Sequence, residues 1–143
     1  MNKREGEKRM DTTLMAPCGL YCGNCSDRLV AKVCHGCGCE CDECAAGAHH
    51  DACAIYRCCV VERGLETCAD CEEMPCTQLI QFAYDPIWRT HRPIVENLRR
   101  IGRIGAEPWL AEQAVYWADP RRLDRWVQLH QECEAKYAQA HQR

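Results

Sequence analysis

The chain has 143 residues, a net charge of −3, fifteen cysteines and one phenylalanine. That length bounds it to one domain, or to a small metal-stapled unit with a helical tail, and so thin an aliphatic supply calls for cross-links by disulfide or metal. The charge is uneven, with four Lys/Arg against ten Asp/Glu in residues 14–76 and ten against eight in residues 77–143; an acidic cysteine-rich half disfavours a phosphate-gripping finger and nucleic acid as a partner.

Residues 1–13 are charged and lack the apolar core of a signal peptide, so they read as a solvated, disordered leader. No window approaches the roughly 18 apolar residues that span a bilayer, so no membrane partner is expected. The reading is a cytoplasmic chain whose thiols stay reduced and available to metal. An odd number of cysteines and the adjacent pair Cys58–Cys59 also fit a disulfide framework poorly.

Residues 14–80 read as a cysteine-rich metal-binding domain, and residues 16–76 alone carry fourteen of the fifteen cysteines. Cys18, Cys22 and Cys25 form C-x3-C-x2-C, Cys34 and Cys37 form C-H-G-C, and Cys68 and Cys71 form C-A-D-C. Two cysteines separated by two residues turn both sulfurs toward one point, the geometry of a four-coordinate ion. Leu29, Val30 and Val33 suggest a short helix capped by Asn24 or Ser26. Residues 34–44 read as a metal loop and 45–50 as a small-residue linker. Asp51 predicts an N-cap for a helix over 52–63, stopped by Gly64; Pro75 breaks the chain before Cys76.

The pattern then changes to a helical extension over 81–143, packed on or beside the first part. Helices are expected over 77–84, 93–101, 108–117 and 120–138, three of them opening at or near a proline, with Gly102 closing the second and Asp119 capping the fourth. Leu123, Trp126, Val127, His130, Cys133 and Tyr137 share one face of the last. Trp109, Trp117 and Trp126 read as core, Cys133 as a small buried hydrophobe, and the Arg99/Arg100/Arg103 and Arg121/Arg122/Arg125 groups as solvated faces interleaved with carboxylates. The fold class is therefore a small, mainly α, metal-stapled domain with irregular cysteine knuckles and a helical tail.

The motifs P-C-G-L-Y-C-G-N-C, C-H-G-C and C-A-I-Y-R-C-C-V-V-E-R-G-L-E-T-C-A-D-C-E-E-M-P-C, in that order, resemble the prokaryotic cysteine-rich domain of unknown function 3795 family over about residues 15–80. The stretch N-L-R-R-I-G-R-I-G-A-E-P-W-L-A-E-Q is similar to the tail of many members. The resemblance implies a small prokaryotic cytoplasmic protein with an inferred metal site and no settled activity. Carried over by position, its ligand cysteines are Cys18, Cys22, Cys25, Cys34, Cys37, Cys53, Cys58, Cys68, Cys71 and Cys76. Two departures stand out. Cys39, Cys41, Cys44 and Cys59 are extra, and Y-W-A-D-P-R-R-L stands where members often carry a second cysteine ribbon.

Four thiolates suit a closed, redox-silent zinc site, and a [4Fe-4S] cluster is the alternative. C-x3-C-x2-C is the radical-SAM spacing, but this chain is too short for the barrel such enzymes build, and neither ferredoxin spacing is matched. Two sites are expected from the ten family cysteines, Cys34, Cys37, Cys53 and Cys58 in one and Cys18, Cys22, Cys25 and Cys76 close by, with Cys68 and Cys71 joining either or forming a third. The alternative pairs C-A-D-C with C-H-G-C and leaves Cys53 free. Cys39, Cys41, Cys44, Cys59, His49 and His50 are accessory donors, and His35 is read as a turn residue. No phosphate loop, dinucleotide fingerprint, G-x-S-x-G or H-E-x-x-H occurs, and Cys68–Cys71 lacks the context of a thioredoxin-like pair, so the reading leans away from an enzyme. Three classes remain in order: a zinc module that is structural or an adaptor with a protein partner on its helical tail, an iron–sulfur carrier or sensor, and a metal-trafficking protein.

Overall fold

The computed structural model describes residues 14–25, 29 and 53–141. Among these there is no strand; Met15 and Tyr21 form an isolated antiparallel bridge, and the rest is helix and turn. A 3-10 turn, Cys22–Asn24, is followed by α1 (Ala54–Tyr56), which runs into a π-helical segment, Arg57–Glu62. After a second 3-10 turn, Cys68–Asp70, come α2 (Thr77–Ala83), a 3-10 turn at Arg89–His91, α3 (Ile94–Ile104), α4 (Ala106–Tyr116) and α5 (Pro120–Ala140). The expected leader, the metal loop at 34–44, the linker at 45–50 and all but Leu29 of the short helix lie outside the described residues.

The helix expected over 52–63 is present with altered ends. Cys53 occupies its N-cap, with Sγ accepting from the Tyr56 N–H at 3.4 Å, whereas Asp51 is outside the described residues. After Tyr56 the ladder widens; the Arg63 N–H reaches the Cys58 carbonyl, five residues back, at 3.1 Å. A π turn of this kind re-aims side chains within a helix. Gly64, at φ 65°, ends the element as its position suggested.

In the tail, burial of Ile94, Leu98 and Ile101 at helical spacing holds α3 against the core. Gly102 does not stop it: the helix continues to Ile104, and Gly105, at φ 91°, ends it, its N–H bonding the Ile101 carbonyl at 2.8 Å. α4 starts two residues earlier than expected, which leaves Pro108 in the first turn, where an N–H has no intrahelical partner to lose. Asp119 caps α5 as expected, accepting from the Arg121 N–H at 3.0 Å. On the expected α5 face Cys133 is fully buried and Trp126, Val127 and His130 are half-buried, but Tyr137 is exposed. Of the three tryptophans read as core, Trp109 is buried; Trp117 and Trp126 are half-buried.

A single hydrophobic cluster joins the two halves. Met15, Ala16, Ile55 and Cys59 pack with Leu79, Ala83, Ile94, Leu98, Ile101, Trp109 and Leu110, and Tyr21 meets Trp109 edge-on at 6.0 Å. Gly19 makes that junction close. At φ 97° a Cβ there would fall 2.9 Å from the Ile94 carbonyl and 2.9 Å from Leu98 Cγ, while its own carbonyl accepts from Asn97 Nδ2 at 2.9 Å.

A second set of contacts ties α2 to α5. His91 stacks on Phe82 at 3.8 Å and lies near-parallel to Trp88, which also meets His130 and Tyr137. The His91 Nδ1–H donates to the Phe82 carbonyl at 3.2 Å, and burial lowers the imidazole pKa to about 4, keeping it neutral.

Gly19→Ala should lower the urea midpoint by the equivalent of at least about 2 kcal/mol. Gly64→Ala, also at positive φ but with nothing within 4 Å of the new methyl, should cost only about 1 kcal/mol. His91 gives a pH signature. In the unfolded chain it takes up a proton near its ordinary value of 6.5, in the folded chain only near 4. The unfolded state therefore binds more protons between those values, so stability is full above pH 6.5 and falls as pH drops toward 4. Chemical denaturation across that window should show this loss, and His91→Gln should flatten it.

Candidate metal-thiolate site

The first cysteine turn is wound tightly by its own backbone: the Ala16 N–H bonds the Leu20 carbonyl at 3.0 Å, the Gly19 N–H the Ala16 carbonyl at 2.9 Å, and the Cys25 N–H the Cys22 carbonyl at 3.2 Å. Cys18 and Cys22 are buried, and Cys25 is half-exposed. The second cysteine group comes from α1 and its π-helical continuation, with Cys53 at the cap, Cys58 half-buried and Cys59 buried. The C-A-D-C knuckle is the third. Thr67 caps it through Oγ1 to the Ala69 N–H at 3.2 Å, and the Cys68 N–H bonds the Pro17 carbonyl at 2.9 Å, pinning the knuckle to the first turn.

These three groups converge. Burial pushes the Cys18 thiol well above its ordinary range, and Cys53, Cys22 and Cys68 stand near enough to push it further. Cys59 and Cys68 hydrogen-bond to each other, which lowers the Cys59 pKa and raises that of Cys68. As a thiol, Cys59 donates instead to the Leu65 carbonyl at 3.5 Å. Beside this pair is a cavity of about 40 Å³ whose wall includes Cys58, Cys59, Cys68, Cys71, Cys76 and Arg63. Arg63 hydrogen-bonds the Cys58 side chain, lies near Cys71 and pairs with Glu73 at 3.4 Å; the first of these contacts does most to raise the guanidinium pKa.

The ten described cysteines form no disulfide with one another. Among the described residues no group of three or more His, Cys, Asp or Glu side chains is arranged to hold a metal ion. Of the expected donors, Cys22, Cys53 and Cys68 lie near enough to Cys18 to act on its charge, Cys58, Cys71 and Cys76 line the neighbouring cavity, and Cys25 lines a different cleft with Cys22. Cys34, Cys37, Cys39, Cys41, Cys44, His35, His49 and His50 lie outside the described residues. Cys133 sits in α5, buried as expected.

Two participants were underrated by the sequence reading. Cys59, counted as surplus, is 1% exposed and touches Cys68. Its place four residues after Ile55 is the signal that was present, since both then face inward from one helix. Arg63 gave no signal beyond its position at the helix end; only the fold sets it beside Cys58 and Cys71.

Exposure predicts an order of reactivity. Under metal-free, reducing, native conditions a brief iodoacetamide pulse read by peptide mass spectrometry should modify Cys58, Cys71 and Cys76 ahead of Cys18, Cys59 and Cys133. Equal labelling of all six would contradict this packing. No family model, no curated protein and no solved structure matches the chain.

Proposed function

We propose that the chain is a metal-thiolate binding module, with zinc as the ion its donors favour, serving as a structural or adaptor domain. The observation that carries the reading is that Cys18, Cys22, Cys53, Cys59 and Cys68, drawn from three separated stretches, come near enough to act on one another's charge in a largely buried neighbourhood. Burial alone drives such thiols toward the protonated form, and a bound cation reverses that preference by deprotonating its ligands outright. Thiolate donors suit zinc and iron–sulfur clusters alike. Arg63 fits either, because a guanidinium hydrogen-bonded at Cys58 offsets the negative charge that several thiolates accumulate. A structural zinc site supplies apparent binding energy of roughly 10–16 kcal/mol, enough to compensate a sparse aliphatic core. The tail offers surface for a protein partner, since Val115 and Tyr116 at the end of α4 are exposed. Its arginines are partly engaged: Arg100 grips Glu112 through two hydrogen bonds, at 2.6 and 3.2 Å.

Elemental analysis and a visible spectrum of anaerobically purified protein test the assignment. The expected result is stoichiometric zinc with no visible absorbance, and a large drop in the melting temperature when a chelator removes it under reducing conditions. A brown protein containing iron and sulfide would transfer the site to a cluster. A metal-free protein that melts cooperatively at the same temperature with and without chelator would overturn the proposal.

A further inference from the structure

Between the first cysteine turn and helices α3, α4 and α5 lies a cleft of about 620 Å³, within the roughly 300–1,000 Å³ typical of small-molecule sites. Its chemistry is distinct from that of the thiol cluster. Trp117 and Trp126 stand together on its wall, their ring centroids 5.3 Å apart. The Trp117 Nε1–H donates to Gln113 Oε1 at 3.1 Å, which leaves the Gln113 amide hydrogens for another partner. Asn24 lines the same cleft; its side chain is buried, at 7% exposure for the residue, and makes no hydrogen bond to any described residue.

The cleft is also positively biased. Arg122 and Arg125, one turn apart on α5, line it against one carboxylate, that of Glu96. Arg122 is already committed, with its guanidinium 4.0 Å above the Tyr116 ring and donating to the Tyr116 carbonyl at 2.7 Å. Arg125 forms no ion pair or hydrogen bond with another described residue. The cleft thus combines an aromatic wall, two amides with unused hydrogen-bonding capacity and one uncommitted guanidinium.

We propose that this cleft binds a planar aromatic anion, its ring against Trp117 and Trp126, its polar edge on Asn24 and Gln113, and its acid group on Arg125. The proposal does not rest on the metal assignment.

Two fluorescent probes separate the charge from the apolar wall: 1-anilinonaphthalene-8-sulfonate and its uncharged counterpart N-phenyl-1-naphthylamine, each with an aniline N–H that Asn24 can accept. Titrated into the full-length protein as purified, the sulfonate should bind at one saturable site, about fivefold or more tighter than the neutral probe, the ratio expected for one ion pair worth about 1 kcal/mol. Arg125→Gln should bring the sulfonate down to the affinity of the neutral probe, and Asn24→Ala should weaken both. Because Arg125 is exposed and without a described partner, that variant keeps its fold, and an unchanged circular dichroism spectrum verifies it. Non-saturable binding, equal affinity for the two probes, or wild-type sulfonate affinity in Arg125→Gln would overturn the proposal. Metal content read on the same samples keeps this result separate from the test of the metal site.

Discussion

The contact of Gly19 with α3 organises the molecule. With no side chain at that turn, the backbone closes onto Ile94 and Leu98, and Asn97 clamps the Gly19 carbonyl. The cysteine turn is thereby set on the helical tail, with Tyr21 over Trp109 and Cys68 hydrogen-bonded to Pro17. A chain poor in aliphatic residues gains a continuous core this way, because Cys59 and Cys68 fill space as small hydrophobes among Leu79, Leu98 and Leu110.

That same packing sets the electrostatics of the thiols. Cys18 and Cys68 are enclosed by apolar neighbours, where an ionised sulfur without a counter-charge is disfavoured. A positive group beside the outer cysteines is Arg63, delivered by the end of the π-helical segment. The widened ladder matters here: Cys58 and Cys59 both line the small cavity, but Cys58 is half-buried beside Arg63 while Cys59 is buried against Cys68. The proposed metal binding would be coupled to folding, since these cysteines come together only when the segments pack.

The first cysteine turn serves two surfaces. Its inner side carries Cys18 toward Cys53 and Cys68, and its outer side carries Asn24 and Cys25 to the cleft beneath α5.

Much of the local structure was legible in the sequence. Apolar spacing gave the helices of the tail, and Asp119–Pro120 marked the start of α5 because a carboxylate cap and a proline at the first position each satisfy a local requirement. Cys133 as a buried hydrophobe followed from its face alone. Other features were not legible. The stop at Gly105 rather than Gly102 depends on Ile101 and Ile104 finding a core to pack against, which local propensity does not contain. The π-helical register at 57–62, the Cys59–Cys68 hydrogen bond and the place of Arg63 are likewise tertiary outcomes. Cysteine spacing nominates the candidate donors, because that is a matter of sulfur chemistry and short loops. Which of them meet was decided only by the fold, because the sulfurs come from segments up to fifty residues apart and their distances are set by the helices packed between them.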